Sequence, residues 1–147
     1  RIELFNTLQN KVKLIGKTWK KSITKDNILI VNKNISIFDV AKEYNQSNFI
    51  LNIKHESNVV NGLNMRSFEV PAVCSCLIQD YVKDLENNFD IKNEVVVFND
   101  IKEVPEIIHK LQKNKIDTKR MIDKAYLNIH SNHLYKHRMK SMLNDIL

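Results

Sequence analysis

Residues 48–53, NFILNI, form an apolar run that is followed by a polar segment and then, from position 62, by GLNMRSFEVPA. An apolar run that leads through a polar loop and a glycine into helical periodicity is typical of a βα unit, and open α/β sheets hold their ligands at such turns. The pattern predicts a strand over 48–53 and a helix that begins at Gly62 or Leu63. It also predicts a candidate active centre at the turn between them.

The residue types after this turn suit an anionic ligand. Backbone N–H groups at a helix start, with the positive end of the helix dipole, favour a phosphate group. Arg66 adds a full charge and a two-pronged donor, and Glu69 can accept hydrogen bonds from the neighbouring hydroxyls of a ribose. Met65, Phe68 and Ala72 share a helical face and are expected to pack in the core. Spacing alone favours a simpler alternative, in which Arg66 and Glu69 form a surface ion pair.

The same stretch resembles the C-terminal half of the GT-B glycosyltransferases known as glycosyl transferases group 1, most closely the branch of the spore-maturation-type proteins. The shared pattern is a strand that ends in Leu-Asn, a loop with His and Ser, and then Gly-x-Asn-x-Arg-x-Phe-Glu. In this chain the pattern comprises Leu51, Asn52, His55, Ser57, Gly62, Asn64, Arg66, Phe68 and Glu69. Looser matches flank it at Tyr44, Asn45 and Ser47 and at His133, Tyr135 and Arg138, so the resemblance covers nearly the whole chain.

The resemblance implies a binding site for a nucleotide sugar. Its members would be His55, Asn61, Gly62, Asn64, Arg66 and Glu69. Glu69 would hold the ribose, Arg66 and the backbone amides of 62–64 the diphosphate, and the remaining side chains the sugar or its phosphate. Arg66 and Glu69 are the expected catalytic residues, because stabilising the leaving diphosphate is the largest service that this half of a GT-B enzyme can offer. Neither a metal nor a cofactor is expected.

The resemblance further implies a hexosyltransferase-type activity in the synthesis of surface polysaccharide, with a glycan, a lipid-linked sugar or a protein as acceptor. An acceptor-binding N-terminal domain is expected to precede this chain, so that the chain alone folds but transfers no sugar. Two positions depart from the family pattern, since Asn61 replaces a glutamate and Cys74 replaces a glycine. They support an alternative function, an interaction module that keeps the GT-B fold and has lost the donor chemistry.

Composition bounds the class of protein. The 147 residues, 43% hydrophobic and 27% charged, predict one domain over 1–147. No apolar run reaches the length of a membrane span and no signal-peptide pattern opens the chain, so we expect a cytoplasmic protein. The net charge of +6 makes the surface a candidate for peripheral contact with the inner face of a membrane. Lysines without interleaved exposed aromatics indicate a solvated surface and no nucleic-acid partner.

The remaining periodicities predict an α/β fold. Strands are expected at 11–16, 28–31, 76–78 and 94–98, with helices over 1–9 and 36–45 and several more after position 99. Alternating βα units give a Rossmann-like open parallel sheet with helices on both faces. Gly16 and Gly62 are the only glycines, so neither a dinucleotide fingerprint nor a P-loop can be written. Cys74 and Cys76 are expected to be reduced and buried at the start of a strand.

Overall fold

The computed structural model describes residues 2–17, 19, 25–53 and 61–146. It contains five strands, namely β1 (Val12–Ile15), β2 (Ile28–Val31), β3 (Ile50–Asn52), β4 (Leu77–Asp80) and β5 (Val96–Phe98). Its helices are α1 (Ile2–Thr7), α2 (Ile37–Gln46), α3 (Arg66–Ala72), α4 (Leu85–Asn88), α5 (Val104–Lys113), α6 (Lys115–Asn132) and α7 (Tyr135–Ile146), with a 3-10 turn at Ile101–Glu103. The predicted site residue His55 lies outside these described residues.

All recorded strand pairs are parallel, as the alternation of strands and helices predicts. β1 pairs with β2, and β3, β4 and β5 pair in that order. In the described part of the chain no ladder joins the two sheets, but Leu14 on β1 and Ile78 on β4 belong to the same apolar cluster. The predicted fold class, Rossmann-like α/β with open parallel sheets, is confirmed.

Helices cover both faces of the three-stranded sheet, because successive side chains of a strand point to opposite faces. Ile78 and Phe98 face a cluster that α1 and α5 complete with Leu4, Phe5, Leu8, Val104 and Ile108. Leu77 and Val95 face a second cluster, to which α3 contributes Val70 and α6 contributes Ile129. The helix that carries the predicted site therefore lies on the second face, wedged between the sheet and α6.

The C-terminal helix α7 has an apolar stripe that nothing in the described residues covers. Its members, Tyr135, Met139, Met142, Leu143 and Ile146, are each more than half exposed. No helix in the described part of the chain is both long and apolar enough to cross a membrane.

Two expectations about α3 are wrong. The helix begins at Arg66, some four residues later than predicted, because residues 61–64 form a loop. Met65 therefore occupies the N-cap position, and its side chain is 60% exposed instead of packing in the core. Phe68 and Ala72, one turn apart, do pack against the second cluster, whose buried members include Val70.

The expectation that both cysteines are buried is also wrong for one of them. Cys76 is 1% exposed, and burial raises the pKa of its thiol to about 12. Cys74 is exposed, because it lies in the turn that ends α3 and not in the strand, which begins at Leu77. Both thiols are free.

The turn at Cys74 explains why a glycine would suit this position. Cys74 has φ +57°, in the left-handed region that favours glycine. Its N–H donates to the Pro71 carbonyl at 3.1 Å, and the Ser75 N–H donates to the Val70 carbonyl at 3.2 Å. These two bonds form a Schellman motif, in which the residue after the helix adopts the left-handed conformation. Cys74 thus adopts a left-handed backbone conformation that is strained for a residue with a side chain.

Candidate functional site

A cleft of about 470 Å³ opens between the N-terminal halves of α2 and α3. Such a volume lies within the range of small-molecule sites, roughly 300–1,000 Å³. Because both helices follow parallel strands, both N-terminal ends lie at the carboxyl edge of the sheets, where open α/β folds bind ligands. The cleft has an apolar part and a polar part, lined by Ile35, Ile37, Val40, Tyr44, Met65, Arg66 and Glu69.

Local sequence fixes the α2 side of the cleft. Ser36-Ile37-Phe38-Asp39 has the form of a capping box, and its first bond is present, since the Ser36 hydroxyl accepts the Asp39 N–H at 3.1 Å. The same hydroxyl donates to the Asp39 carboxylate at 2.8 Å. The periodicity of α2 then places Val40 and Tyr44 one turn apart on the face that looks toward α3.

The C-terminal ends of α2 and α3 are tied together. The Asn45 side-chain amide donates to the Val73 carbonyl at 2.8 Å, and the Ser75 hydroxyl donates to the Tyr44 carbonyl at 2.6 Å. The two helices are therefore joined where they end and separated where they begin, and this separation is the cleft.

The polar part of the cleft brings Arg66, Glu69 and Tyr44 together. Burial raises the pKa of the Tyr44 phenol, Arg66 lowers it through its charge and a hydrogen bond, and the Glu69 charge raises it. The four ion pairs recorded among the described residues do not include one between Arg66 and Glu69. The surface ion pair suggested by their spacing thus does not form, and both charges face the cleft.

Asn64 is turned away from this cleft. Its side-chain amide exchanges two hydrogen bonds with that of Asn52, each 3.0 Å long. Asn52 Nδ2 also lies 3.2 Å from Gln79 Oε1 and 3.4 Å from Ser67 Oγ, and Ser67 Oγ donates to Gln79 Oε1 at 2.9 Å. We call Asn52, Asn64, Ser67 and Gln79 the amide cluster.

Sequence reasoning quoted Asn52 only as part of the family pattern and gave it no role, and it missed Ser67 and Gln79. A signal was present, because Asn52 lies within the apolar run 48–53 and Gln79 follows the apolar pair at the start of β4. Polar amides at strand positions that are buried on both sides of a parallel sheet require hydrogen-bond partners. Such residues therefore indicate a buried polar cluster.

Asn61 and Gly62 are exposed and do not line the cleft. The Asn61 carbonyl accepts the Asp84 N–H at 3.3 Å, which places this loop beside the connection that follows β4. Of the predicted site residues, the structure brings Arg66 and Glu69 together in one cleft, with Asn64 behind them and Asn61 and Gly62 along the adjoining loop. In the described residues, no group of three or more metal-binding side chains gathers.

The C-terminal segment reaches α3 through an aromatic contact. The rings of Phe68 and His133 lie 5.4 Å apart, those of Phe89 and His133 6.0 Å apart, and the Arg138 guanidinium lies 4.6 Å from the centre of the Phe68 ring. Burial lowers the pKa of His133, Arg138 lowers it further, and a hydrogen bond to the backbone of Asn88 opposes the shift. The start of α7 is thereby fixed against the helix that carries Arg66 and Glu69.

An open parallel α/β fold with a charged cleft at the carboxyl edge of its strands defines a Rossmann-like domain. The chain belongs to the glycosyl transferase-like family, whose family model matches residues 1–144. It is thus a glycosyltransferase domain, as the resemblance implied at this coarser level. A comparison with curated proteins finds no match.

Proposed function

We propose that this domain binds the nucleotide-sugar donor of a GT-B glycosyltransferase in the cleft between α2 and α3. The observation that carries the proposal is the composition of that cleft, in which Arg66, Glu69 and the Tyr44 hydroxyl adjoin an apolar wall of Ile35, Ile37 and Val40. A nucleoside diphosphate has a flat base, a diol and two phosphates, and each of these finds a matching partner.

Each partner has a chemical role. The apolar wall accommodates the base, because a flat heteroaromatic ring gains from leaving water for an apolar surface. The Glu69 carboxylate accepts hydrogen bonds from the ribose hydroxyls, and the Arg66 guanidinium donates to the diphosphate. As the glycosyl bond breaks, negative charge grows on the diphosphate, and a fixed cation next to it lowers the barrier.

The sugar, the acceptor and the membrane contact in this proposal are those that the family resemblance implies. The transferred group is a hexose, and the acceptor is a surface glycan, a lipid-linked sugar or a protein that a second domain presents at the mouth of the cleft. Asn61, together with His55, serves the sugar end of the donor, and the backbone amides of 62–64 serve the diphosphate. The basic surface serves for contact with the inner face of a membrane, on the cytoplasmic side. The alternative, an interaction module without donor chemistry, predicts that the cleft binds no nucleotide.

Calorimetry on Arg66→Ala and Glu69→Ala tests the proposal. With UDP and GDP as probes, each variant should weaken binding by roughly 1.5–3 kcal/mol, or about ten- to a hundred-and-fifty-fold, because each loses a charge-assisted hydrogen bond. The two variants should differ with uridine and guanosine, since Glu69→Ala removes a ribose contact and Arg66→Ala a phosphate contact. Only the Glu69 change should weaken nucleoside binding.

Matched controls lie on other helices. Arg120 on α6 and Glu106 on α5 are exposed residues of surface ion pairs, so Arg120→Ala and Glu106→Ala remove the same groups far from the cleft. Both controls should bind nucleotide as the unaltered protein does. All four variants should melt at nearly the same temperature as the unaltered protein, because exposed charged groups contribute little to stability. Unchanged nucleotide binding in both cleft variants would refute the donor site.

A further inference from the structure

The amide cluster occupies positions where the fold calls for apolar side chains. Asn52, Ser67 and Gln79 are 4%, 1% and 2% exposed, and they sit between the sheet and α3 in the same layer as Leu77 and Val70. Burying these three polar side chains stabilises the fold little, since every bond made replaces one with water. Such clusters instead fix geometry, because each member accepts only one arrangement of its neighbours.

The geometry that the cluster fixes is that of residues 64–67. Asn52 and Gln79 are paired neighbours at the carboxyl ends of β3 and β4, so they form a rigid base. Asn64 is bound to this base through both atoms of its amide, and Ser67 through its hydroxyl. Arg66 lies between these two attachment points, and Glu69 follows three residues, or nearly one turn, after Arg66.

We propose that Asn52 and Gln79 are positioning residues, which hold Asn64 and Ser67 and thereby aim Arg66 and Glu69 into the cleft. This inference rests on the proposed donor site. The residues touch neither base nor phosphate, and act by holding the start of α3 in a single conformation before the ligand arrives. Preorganised groups bind a charged ligand more tightly than mobile ones, because the ordering has been completed during folding.

Two substitutions at Gln79 separate positioning from stability. Gln79→Glu keeps an oxygen that accepts from Asn52 and Ser67 but buries a carboxyl group, which destabilises the fold. Gln79→Leu removes the acceptor but places an apolar side chain where a buried parallel strand favours one. A purely structural role predicts that affinity follows stability, with the Glu variant weaker in both. A positioning role predicts the opposite order for affinity, so that the Glu variant binds nucleotide more tightly than the Leu variant.

The experiment measures melting temperature and calorimetric affinity for UDP and GDP in both variants. We expect the Glu variant to melt lower and to bind within about threefold of the unaltered protein, and the Leu variant to lose about tenfold or more. The loss in the Leu variant should largely vanish when Arg66→Ala is also present, because the two changes then remove the same interaction. Affinities that follow the melting temperatures, or equal affinities in both variants, would overturn the proposal.

Amide hydrogen exchange without ligand keeps the inference separable from the donor site. Gln79→Leu should speed exchange in residues 64–69 relative to α5 and α6, and Gln79→Glu should not. If the unaltered protein binds neither UDP nor GDP, the proposed function fails, and the exchange pattern alone decides whether the cluster holds this segment. Unchanged exchange at 64–69 in the Leu variant refutes the positioning role in either case.

Discussion

The inner and outer faces of α3 differ in burial, charge and hydrogen bonding, although the helix has only seven residues. On the inner face Ser67, Val70 and Pro71 are buried against the sheet and α6. On the outer face Arg66 and Glu69 point into the cleft, and they do not form an ion pair with each other. One helix thus separates two tasks, since the inner face holds it in place and the outer face is free to meet a ligand.

The largest expected effect comes from a substitution that disrupts packing against the inner face of α3. Ile129→Ala on α6 removes a side chain that is 2% exposed in the cluster shared with Val70. Deleting such a buried side chain costs about 2–5 kcal/mol, from lost transfer energy and the cavity left behind. Chemical denaturation should show this loss in the free energy of unfolding, while nucleotide affinity of the folded protein stays unchanged.

The matched control is Leu127→Ala on the same helix. Leu127 is 62% exposed, so its removal should change the free energy of unfolding by no more than about 0.5 kcal/mol. Equal losses in the two variants would mean that α6 does not pack on the inner face of α3.

A smaller effect is expected at the turn that ends α3. Cys74→Gly should stabilise the protein by up to about 1 kcal/mol, because glycine adopts φ +57° without the clash that a side chain meets. Thermal unfolding measures the gain. Val73→Gly is the control, since Val73 has φ −109° and gains nothing from glycine's freedom. A lower melting temperature for Cys74→Gly than for the unaltered protein would contradict the Schellman geometry.

The smallest effect concerns the aromatic contact between α3 and the start of α7. Because burial lowers the pKa of His133, the unfolded chain binds a proton there before the folded protein does. The resulting stability is present above the ordinary histidine pKa of about 6.5 and is lost as the pH falls through the lower, folded value. Urea unfolding between pH 7 and pH 5 should therefore show a decline that is shallower in His133→Gln.

A pH dependence of the free energy of unfolding that is the same in His133→Gln as in the unaltered protein would show that His133 is not shielded by Phe68 and Phe89.

The sequence predicted the fold class well because periodicity reports which side of each element is apolar. β2 has the predicted bounds, β1 and β5 differ by one or two residues at their ends, and the capping box places the start of α2. Periodicity does not report what covers an apolar side. The apolar stripe on α7 can be read from the sequence, yet it stays exposed in the described residues.

The site was predicted in part, for reasons that Arg66 and Asn64 illustrate. Arg66 was predicted as a site residue because a cation near a helix start suits an anionic ligand. The orientation of Asn64 was not foreseen, because it depends on Asn52 and Gln79, which come from two different strands and meet only in the folded sheet. The same long-range bonds hold Asn64 in the loop before α3, which begins at Arg66 instead of at Gly62 or Leu63.

The amide cluster also has a consequence for how the sheet assembles. Asn52 and Gln79 lie opposite each other in the register of β3 and β4 and share the face of Ile50 and Leu77. A slip of β3 by one residue would turn Asn52 to the opposite face, toward the cluster of Ile78 and Phe98, and separate its amide from Ser67 and Gln79, at a cost of about 1–3 kcal/mol. The two short strands thus carry a marker that penalises the wrong alignment.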